Sequence, residues 1–231
     1  MIKNILFDLD DTLLDFHTAE KAALRKTLLH LGIDPKEEVL ARYSEINIAQ
    51  WKLLEQGKLT RSQVKLQRYQ ILFNEINANC SAEYATEYYE NLLGIGHYFV
   101  EGAQEALRSL SEDFRLFIAS NGTARVQRSR IESAGIWGYL SGLFISQEIG
   151  YDKPSLDFFN RCFTHIDGFC KAKTAIVGDS LTSDIKGGND AGITTVWYNP
   201  KGVVNNSDIK PCFEVQHLAE LEPLFKSHDH P

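Results

Sequence analysis

The sequence predicts an α/β protein, a parallel sheet core covered by helices on both faces, with an inserted all-helical domain. Three observations predict it. Short apolar runs recur at residues 2–7, 114–120, 142–146, 173–179 and 192–198, each about the length of a buried strand. Helical patterns of ten or more residues lie between the later runs, the spacing of crossover units in a parallel sheet. Residues 15 to about 95 break that rhythm with four successive helical patterns and no convincing strand.

Taken in order, residues 2–7 read as the first buried strand, and Asp15 with Thr18 can cap the first helix of the insert. Asp34 followed by Pro35 opens the next helix and Gly57 closes it. Thr60 and Gln63 form a capping box for the third, and Ser81 can cap the fourth. Hinges are expected just after Thr12 and within GIGHYFVEG, Gly94 to Gly102, where the chain crosses back. The division is therefore an α/β catalytic core of residues 1–14 and 97–231 and a helical domain of residues 15–96. FRLFIAS, GLFIS, KTAIVGD and GITTVWY supply the remaining strands, and the tail SHDHP is expected to fray. No internal repeat or low-complexity tract occurs.

Composition narrows the function. With 231 residues, 43% hydrophobic and 24% charged, the chain can build one large core or two modest ones. A net charge of −7 argues against a nucleic-acid polymer as partner, because such a surface needs a basic stripe. An anionic substrate would need local positive charge. No apolar run approaches the roughly 18 residues of a membrane span, so no membrane partner is expected and a cytoplasmic location is. Cys80, Cys162, Cys170 and Cys212 are scattered without a C-x-x-C pair and read as reduced thiols.

The chemistry begins at NILFDLDDTLLD, which runs a greasy strand into Asp8, Asp10, Asp11 and Asp15. Carboxylates at that density repel, so a positive partner is expected. Side chains alternate along an extended segment, which would point Asp8 and Asp10 the same way and leave Asp11 out of phase, for solvent or a helix start. The pair lies where the first strand ends, where open parallel sheets bind ligands, and two carboxylates there suit a hard cation such as Mg²⁺.

Other strand ends add to it. Ser120, Asn121 and Gly122 offer a hydroxyl and amide N–H groups as an anion cradle, though alone the trio reads equally well as a turn and helix cap. Lys153 beside Pro154 is a point positive charge, although a lone loop lysine is usually solvated. Asp179 follows an apolar strand and Asp184 comes about one helical turn later, a pattern that alone suits a helix start. All four groups fall, in order, at core strand ends.

These stretches, DLDDT at 8–12, SNG at 120–122, the lysine of DKP and GDSLTSD at 178–184, resemble the four motifs of the haloacid dehalogenase-like hydrolase superfamily. The resemblance implies a Rossmann-like core. It implies that Asp8 attacks phosphorus to form an aspartyl-phosphate, that Asp10 protonates the departing alcohol and later takes a proton from water, and that Thr12 supports the motif. Mg²⁺ would be held by Asp8, the backbone carbonyl of Asp10 and Asp179. Lys153, Ser120 and the Asn121 N–H would hold the phosphoryl oxygens, and Asp184 would orient Lys153 or a metal-bound water.

The insert resembles the helical cap of the superfamily's first subclass, which closes over the core and selects the substrate. Most of its aromatics, Tyr43, Trp51, Tyr69, Phe73, Tyr84, Tyr88 and Tyr89, are expected in its own core, with Phe16 a candidate to stack on a planar ligand. GGNDAGITTVWYNP, residues 187–200, resembles the pyrimidine 5′-nucleotidase branch, which implies a nucleoside 5′-monophosphate as the small-molecule phosphomonoester substrate; a monomer or homodimer is expected. A broad small-molecule or sugar phosphatase and a phosphomutase share the motifs. A haloacid dehalogenase has no use for Asp10, and a non-enzymatic phospho-receiver module has no need of a helical insert.

Overall fold

The computed structural model describes residues 1–227. Of SHDHP, expected to fray, Ser227 ends a helix and residues 228–231 lie outside those described. In chain order the elements are β1 (Asn4–Phe7), α1 (Phe16–His30), α2 (Glu37–Glu55), α3 (Arg61–Glu75), α4 (Ala82–Gly94), α5 (Ala103–Asp113), β2 (Arg115–Ser120), α6 (Ala124–Ala134), β3 (Leu140–Ile145) and α7 (Ser146–Ile149). There follow α8 (Leu156–Thr164), β4 (Thr174–Gly178), α9 (Lys186–Ala191), β5 (Thr194–Tyr198), β6 (Phe213–Val215) and α10 (Leu221–Ser227). Among the described residues no helix is long and apolar enough to cross a membrane. Two compact units result: Met1–Asp15 with the chain from His97 onward, and Phe16–Gly96.

The first unit is a six-stranded sheet in the order β3-β2-β1-β4-β5-β6, every neighbouring pair parallel. It is the expected α/β, Rossmann-like arrangement, with β1 at the centre. Alternation along the strands builds two cores. Ile5, Phe7, Ile118 and Val177 pack on one face with Leu107 and Leu110 of α5 and Phe225 of α10. Leu6, Phe117 and Ile176 pack on the other with Phe158, Phe159 and Phe163 of α8. Burial on both faces is why these strands read as continuous apolar runs. β6 went unread in the sequence, because three edge residues, with Glu214 exposed in the middle, carry no periodic signal.

The order has a consequence for function. From β1 the chain builds outward to β2 and β3 on one side, then returns to add β4, β5 and β6 on the other. Connections on either side of β1 diverge, which leaves a crevice beyond its carboxyl end.

The second unit packs its four helices around a buried polar chain. Arg68 of α3 lies over the rings of Tyr43, Tyr69 and Tyr89, 4.8 Å from the last centroid. Its Nη1 donates to Asn47 Oδ1 at 3.0 Å, and Asn47 Nδ2 donates to Glu20 Oε1 at 2.7 Å. Ser44 donates to the other Glu20 oxygen at 2.7 Å. Burial pushes the Glu20 carboxyl above its ordinary range, against the hydrogen bonds of Ser44 and Asn47 and the charge of Arg68. Asn47 thus links two buried charges.

Of the aromatics expected in this core, Tyr43, Tyr69, Phe73 and Tyr89 are buried, Phe16, Trp51 and Tyr88 are half-buried, and Tyr84 is exposed. The Thr60–Gln63 capping box and the Ser81 cap form as read. Gly57, at φ 70°, closes α2, with its N–H donating to Leu54 O and that of Lys58 to Leu53 O, both ends of a Schellman motif. At its other end α2 starts later than Asp34–Pro35 predicts. The chain stays extended through Lys36, Arg25 donates to Pro35 O at 3.5 Å, and the helix begins at Glu37, whose carboxylate pairs with Lys21 and Arg25.

Replacing Asn47 by Leu keeps the branched shape but strands Glu20 and Arg68 without their bridge. A loss of about 1–3 kcal/mol is expected, read as a drop in Tm of roughly 2–4 °C per kcal/mol.

Candidate active site

β1 ends at Phe7, but Asp8 still belongs to the sheet, with its N–H donating to Val177 O at 2.9 Å. Beyond it the chain turns back. The Leu13 and Leu14 N–H groups both donate to Leu9 O, at 3.1 and 2.9 Å, and the Asp11 N–H donates to Leu14 O at 2.8 Å. Asp11 adopts φ 57°, the left-handed region that Asp tolerates better than most side chains. Strand alternation therefore stops at Asp8. The carboxylates of Asp8 and Asp10 take different partners, while the charge of Asp10 still acts on Asp8.

Asp8 faces Lys153. The ammonium donates to Asp8 Oδ1 at 2.7 Å, Asp184 Oδ1 at 2.6 Å and Ala119 O at 2.5 Å, and the residue is 1% exposed. All three of its donors are used inside the protein. Burial opposes its charge, yet Asp184 and Asp8 hold it above the ordinary lysine value. Asn121 fixes its backbone, with Nδ2 donating to Lys153 O at 2.9 Å and Oδ1 accepting from the Lys153 N–H at 2.8 Å. The side chain of Asn121 thus has a task that the reading of its N–H as an anion donor did not foresee.

Asp184 comes from a wider turn than an α-helix would give. Leu181–Ile185 is a π-helical turn, with the Ile185 N–H donating to Ser180 O at 3.2 Å. Its carboxylate is buried, pairs with Lys153 through Oδ1 and accepts the Ser180 N–H through Oδ2 at 3.1 Å. Gly178 makes room for it, since a Cβ there would stand 2.3 Å from Asp184 Oδ2. Asp179 is tied on three sides. Its N–H donates to Thr12 Oγ1 at 3.1 Å, the Thr12 hydroxyl lies 3.4 Å from its Oδ1, and the indole N–H of Trp197 donates to its carbonyl at 2.8 Å.

Oxygens of Asp8, Asp179 and Asp184 lie within 4.8 Å of one another. Burial raises the Asp8 carboxyl to about 7, with Lys153 opposing and the charges of Asp184 and Asp10 adding to it. Burial likewise pushes Asp179 well above the carboxylate range, helped by Asp8, Asp184 and Asp11. One ammonium does not offset this concentration of negative charge. The donor set, hard oxygens with a surplus of negative charge, fits a divalent cation.

Ser120 and Asp10 meet on α6, through residues that sequence reasoning missed. Gln127 Nε2 donates to Ser120 Oγ at 2.8 Å and to Asp10 Oδ2 at 2.7 Å. Arg130 pairs with Asp10 Oδ1 and donates to Gln127 Oε1 at 3.1 Å. The available signal was spacing, because residues 127 and 130 share a helix face one turn into the helix that follows SNG. Phe16 opens α1 in the second unit, half-buried, and is not among the residues of the unit that holds the carboxylates.

The chain is similar to known proteins along most of its length. The profile of the haloacid dehalogenase-like hydrolases covers residues 5–198. HAD-hydrolase YfnB of Bacillus subtilis is 36% identical over 219 residues, 95% of this chain and 93% of that protein. Its crystal structure bound to magnesium superposes with a TM-score of 0.92 over 97% of this chain and 98% of that one, at 35% identity. Pyrimidine 5′-nucleotidase PynA of Streptococcus pneumoniae is 36% identical over 220 residues, 95% and 93% of the two chains. Pyrimidine 5′-nucleotidase YjjG of Escherichia coli is 27% identical over 224 residues, 97% and 98% of the two.

Lys153→Met should leave Asp8 and Asp184 buried without their partner. Breaking a buried pair in this way costs about 3–5 kcal/mol, so thermal unfolding should shift down by roughly 6–20 °C. A shift below about 2 °C would show that the carboxylates do not depend on the ammonium.

Proposed function

Because the chain belongs to the haloacid dehalogenase-like hydrolase family, we propose that it is a phosphomonoester hydrolase that uses Mg²⁺ and an aspartyl-phosphate, and that its substrate is a pyrimidine nucleoside 5′-monophosphate. The observation that carries the reaction type is the cluster of Asp8, Asp179 and Asp184 oxygens beyond the ends of β1 and β4, with the buried Lys153 paired to Asp8 and Asp184. Pyrimidine nucleotidases PynA and YjjG, matched along nearly their whole length, support the substrate class.

Asp8 is the nucleophile. One of its oxygens attacks phosphorus, the bond from phosphorus to the ester oxygen breaks, and Asp10 delivers a proton to that oxygen. A water then attacks the aspartyl-phosphate, Asp10 takes its proton, and inorganic phosphate leaves with Asp8 restored. Lys153 offsets charge on the transferring group and holds Asp8 in place. Ser120 and the Asn121 N–H donate to phosphoryl oxygens. Asp8, Asp179 and the backbone carbonyl of Asp10 would hold Mg²⁺, with Asp184 keeping Lys153 in register. When bound, the cation supplies the positive charge that keeps Asp8 ionised and screens it from the incoming phosphate.

Selection of the leaving group is assigned to the helical unit and to Phe16. Stacking of a base on an aromatic ring is worth about 1–3 kcal/mol, which sets the scale of preference over a sugar phosphate at roughly 5- to 150-fold.

The test is a panel of phosphomonoesters. Uridine and thymidine monophosphates should be hydrolysed with higher kcat/KM than ribose 5-phosphate, and chelation should abolish release of phosphate from each. Equal rates on the sugar phosphate would retire the nucleotidase reading and leave a broad phosphatase, while chelator-resistant turnover would retire the metal. Asp8→Asn should remove turnover without unfolding the protein. Asp10→Asn should slow an alkyl phosphate by roughly 100-fold or more, and less for an aryl phosphate, whose leaving group departs without a proton.

A further inference from the structure

We propose that Gln127 and Arg130 are positioning residues that set Asp10 and Ser120 as one unit, so that the acid-base carboxylate and the phosphate-facing hydroxyl are aligned by the same amide. The inference rests on the phosphatase reading above and extends it to residues outside the four motifs.

The hydrogen-bond count requires this arrangement. Asp10 receives Gln127 on Oδ2 and Arg130 on Oδ1, so both carboxylate oxygens are anchored to α6. Gln127 gives one amide hydrogen to Asp10 and the other to Ser120, while its carbonyl accepts from Arg130. That uses every hydrogen its amide can donate. A flipped amide would set its oxygen against the Asp10 carboxylate and its NH₂ against the guanidinium, so the orientation is fixed by its neighbours. Both side chains are buried, Arg130 completely.

The state of Ser120 follows. Its Oγ accepts from Gln127, which frees its own hydrogen to be donated elsewhere. A phosphoryl oxygen needs a donor, so Gln127 leaves the hydroxyl in the useful sense. It also ties that hydroxyl to the carboxylate that must reach the ester oxygen of the same group. Displacing either by about 1 Å can cost on the order of 100-fold in rate.

The glycine of SNG supports the assignment independently. A Cβ at Gly122 would lie 2.3 Å from Gln127 Cγ, 2.5 Å from its Nε2 and 2.6 Å from its Cδ. Gly122 is thus the space through which the Gln127 side chain reaches Asp10. The requirement is steric.

The experiment compares Gln127→Ala, Gly122→Ala, the double variant, Arg130→Met and Arg130→Lys in the full-length protein, with phosphoenzyme formation followed on an alkyl and an aryl phosphate. Gln127→Ala is expected to slow the alkyl ester by roughly 10- to 100-fold and the aryl ester several-fold less, because only the alkyl leaving group needs the Asp10 proton. Gly122→Ala should reproduce that split and add almost nothing once Gln127 is truncated, as coupled residues do. Arg130→Lys should recover part of the alkyl rate lost in Arg130→Met. Equal losses on both esters, or additive losses in the double variant, would overturn the proposal. If wild type hydrolyses neither ester, the phosphatase reading itself has failed. Titration with inorganic phosphate then decides, with weaker binding to Gln127→Ala supporting the alignment of Ser120 and unchanged binding refuting it.

Discussion

The ammonium of Lys153 is the contact on which the site depends. It is buried, and all three of its hydrogens are spent on Asp8, Asp184 and the Ala119 carbonyl. A buried charge is costly unless every donor is met, so once these partners are fixed the lysine has no alternative position. Much of the surrounding structure keeps the three partners where they are. Asn121 clamps the lysine backbone, the π-helical turn carries Asp184 inward, and the missing side chain of Gly178 leaves space for its carboxylate.

Sheet order explains how such distant residues meet. Asp8, Ser120, Lys153 and Asp179 are separated by tens of residues or more, yet Asp8 follows β1, Ser120 ends β2 and Asp179 follows β4, which are neighbours in the sheet. A parallel sheet places all its carboxyl ends on one edge. With β1 in the middle, the strands on either side bring a hydroxyl from β2 and a carboxylate from β4 to Asp8. The charge balance left there is negative, since several carboxylates share one ammonium, and burial magnifies the imbalance.

The helical unit uses the same physics for a different end. Arg68 is buried among three tyrosine rings and linked through Asn47 to Glu20, so residues of all four helices meet in one polar chain. The aromatic residues expected to be core divide accordingly. Tyr43, Tyr69 and Tyr89 surround the guanidinium, while Tyr88 stacks on His30 with ring centroids 4.0 Å apart.

Sequence alone determined the sheet class, five of the six strands, the four inserted helices and the residues that end the central strands, because those features are local. A strand buried on both faces must be apolar throughout, and a helix start must satisfy its free N–H groups, so each leaves its mark in consecutive residues. The motif residues Asp8, Ser120 and Asp179 were legible for the same reason, as polar groups set against apolar strand ends, whereas Lys153 comes after α7 rather than at the end of β3 and Asp184 sits in the π-helical turn beyond β4. Tertiary structure decided the partners. Strand alternation gave Asp8 and Asp10 one direction, but the loop closed by Leu9, Leu13 and Leu14 ended the strand and sent Asp10 to α6. Spacing puts Arg130 on the buried face of α6 with Val126 and Gln127, and Arg128 on the surface with Glu148, but it does not say what Arg130 meets there. That partner depends on where a carboxylate from residue 10 arrives, and this is settled only when the strands pair.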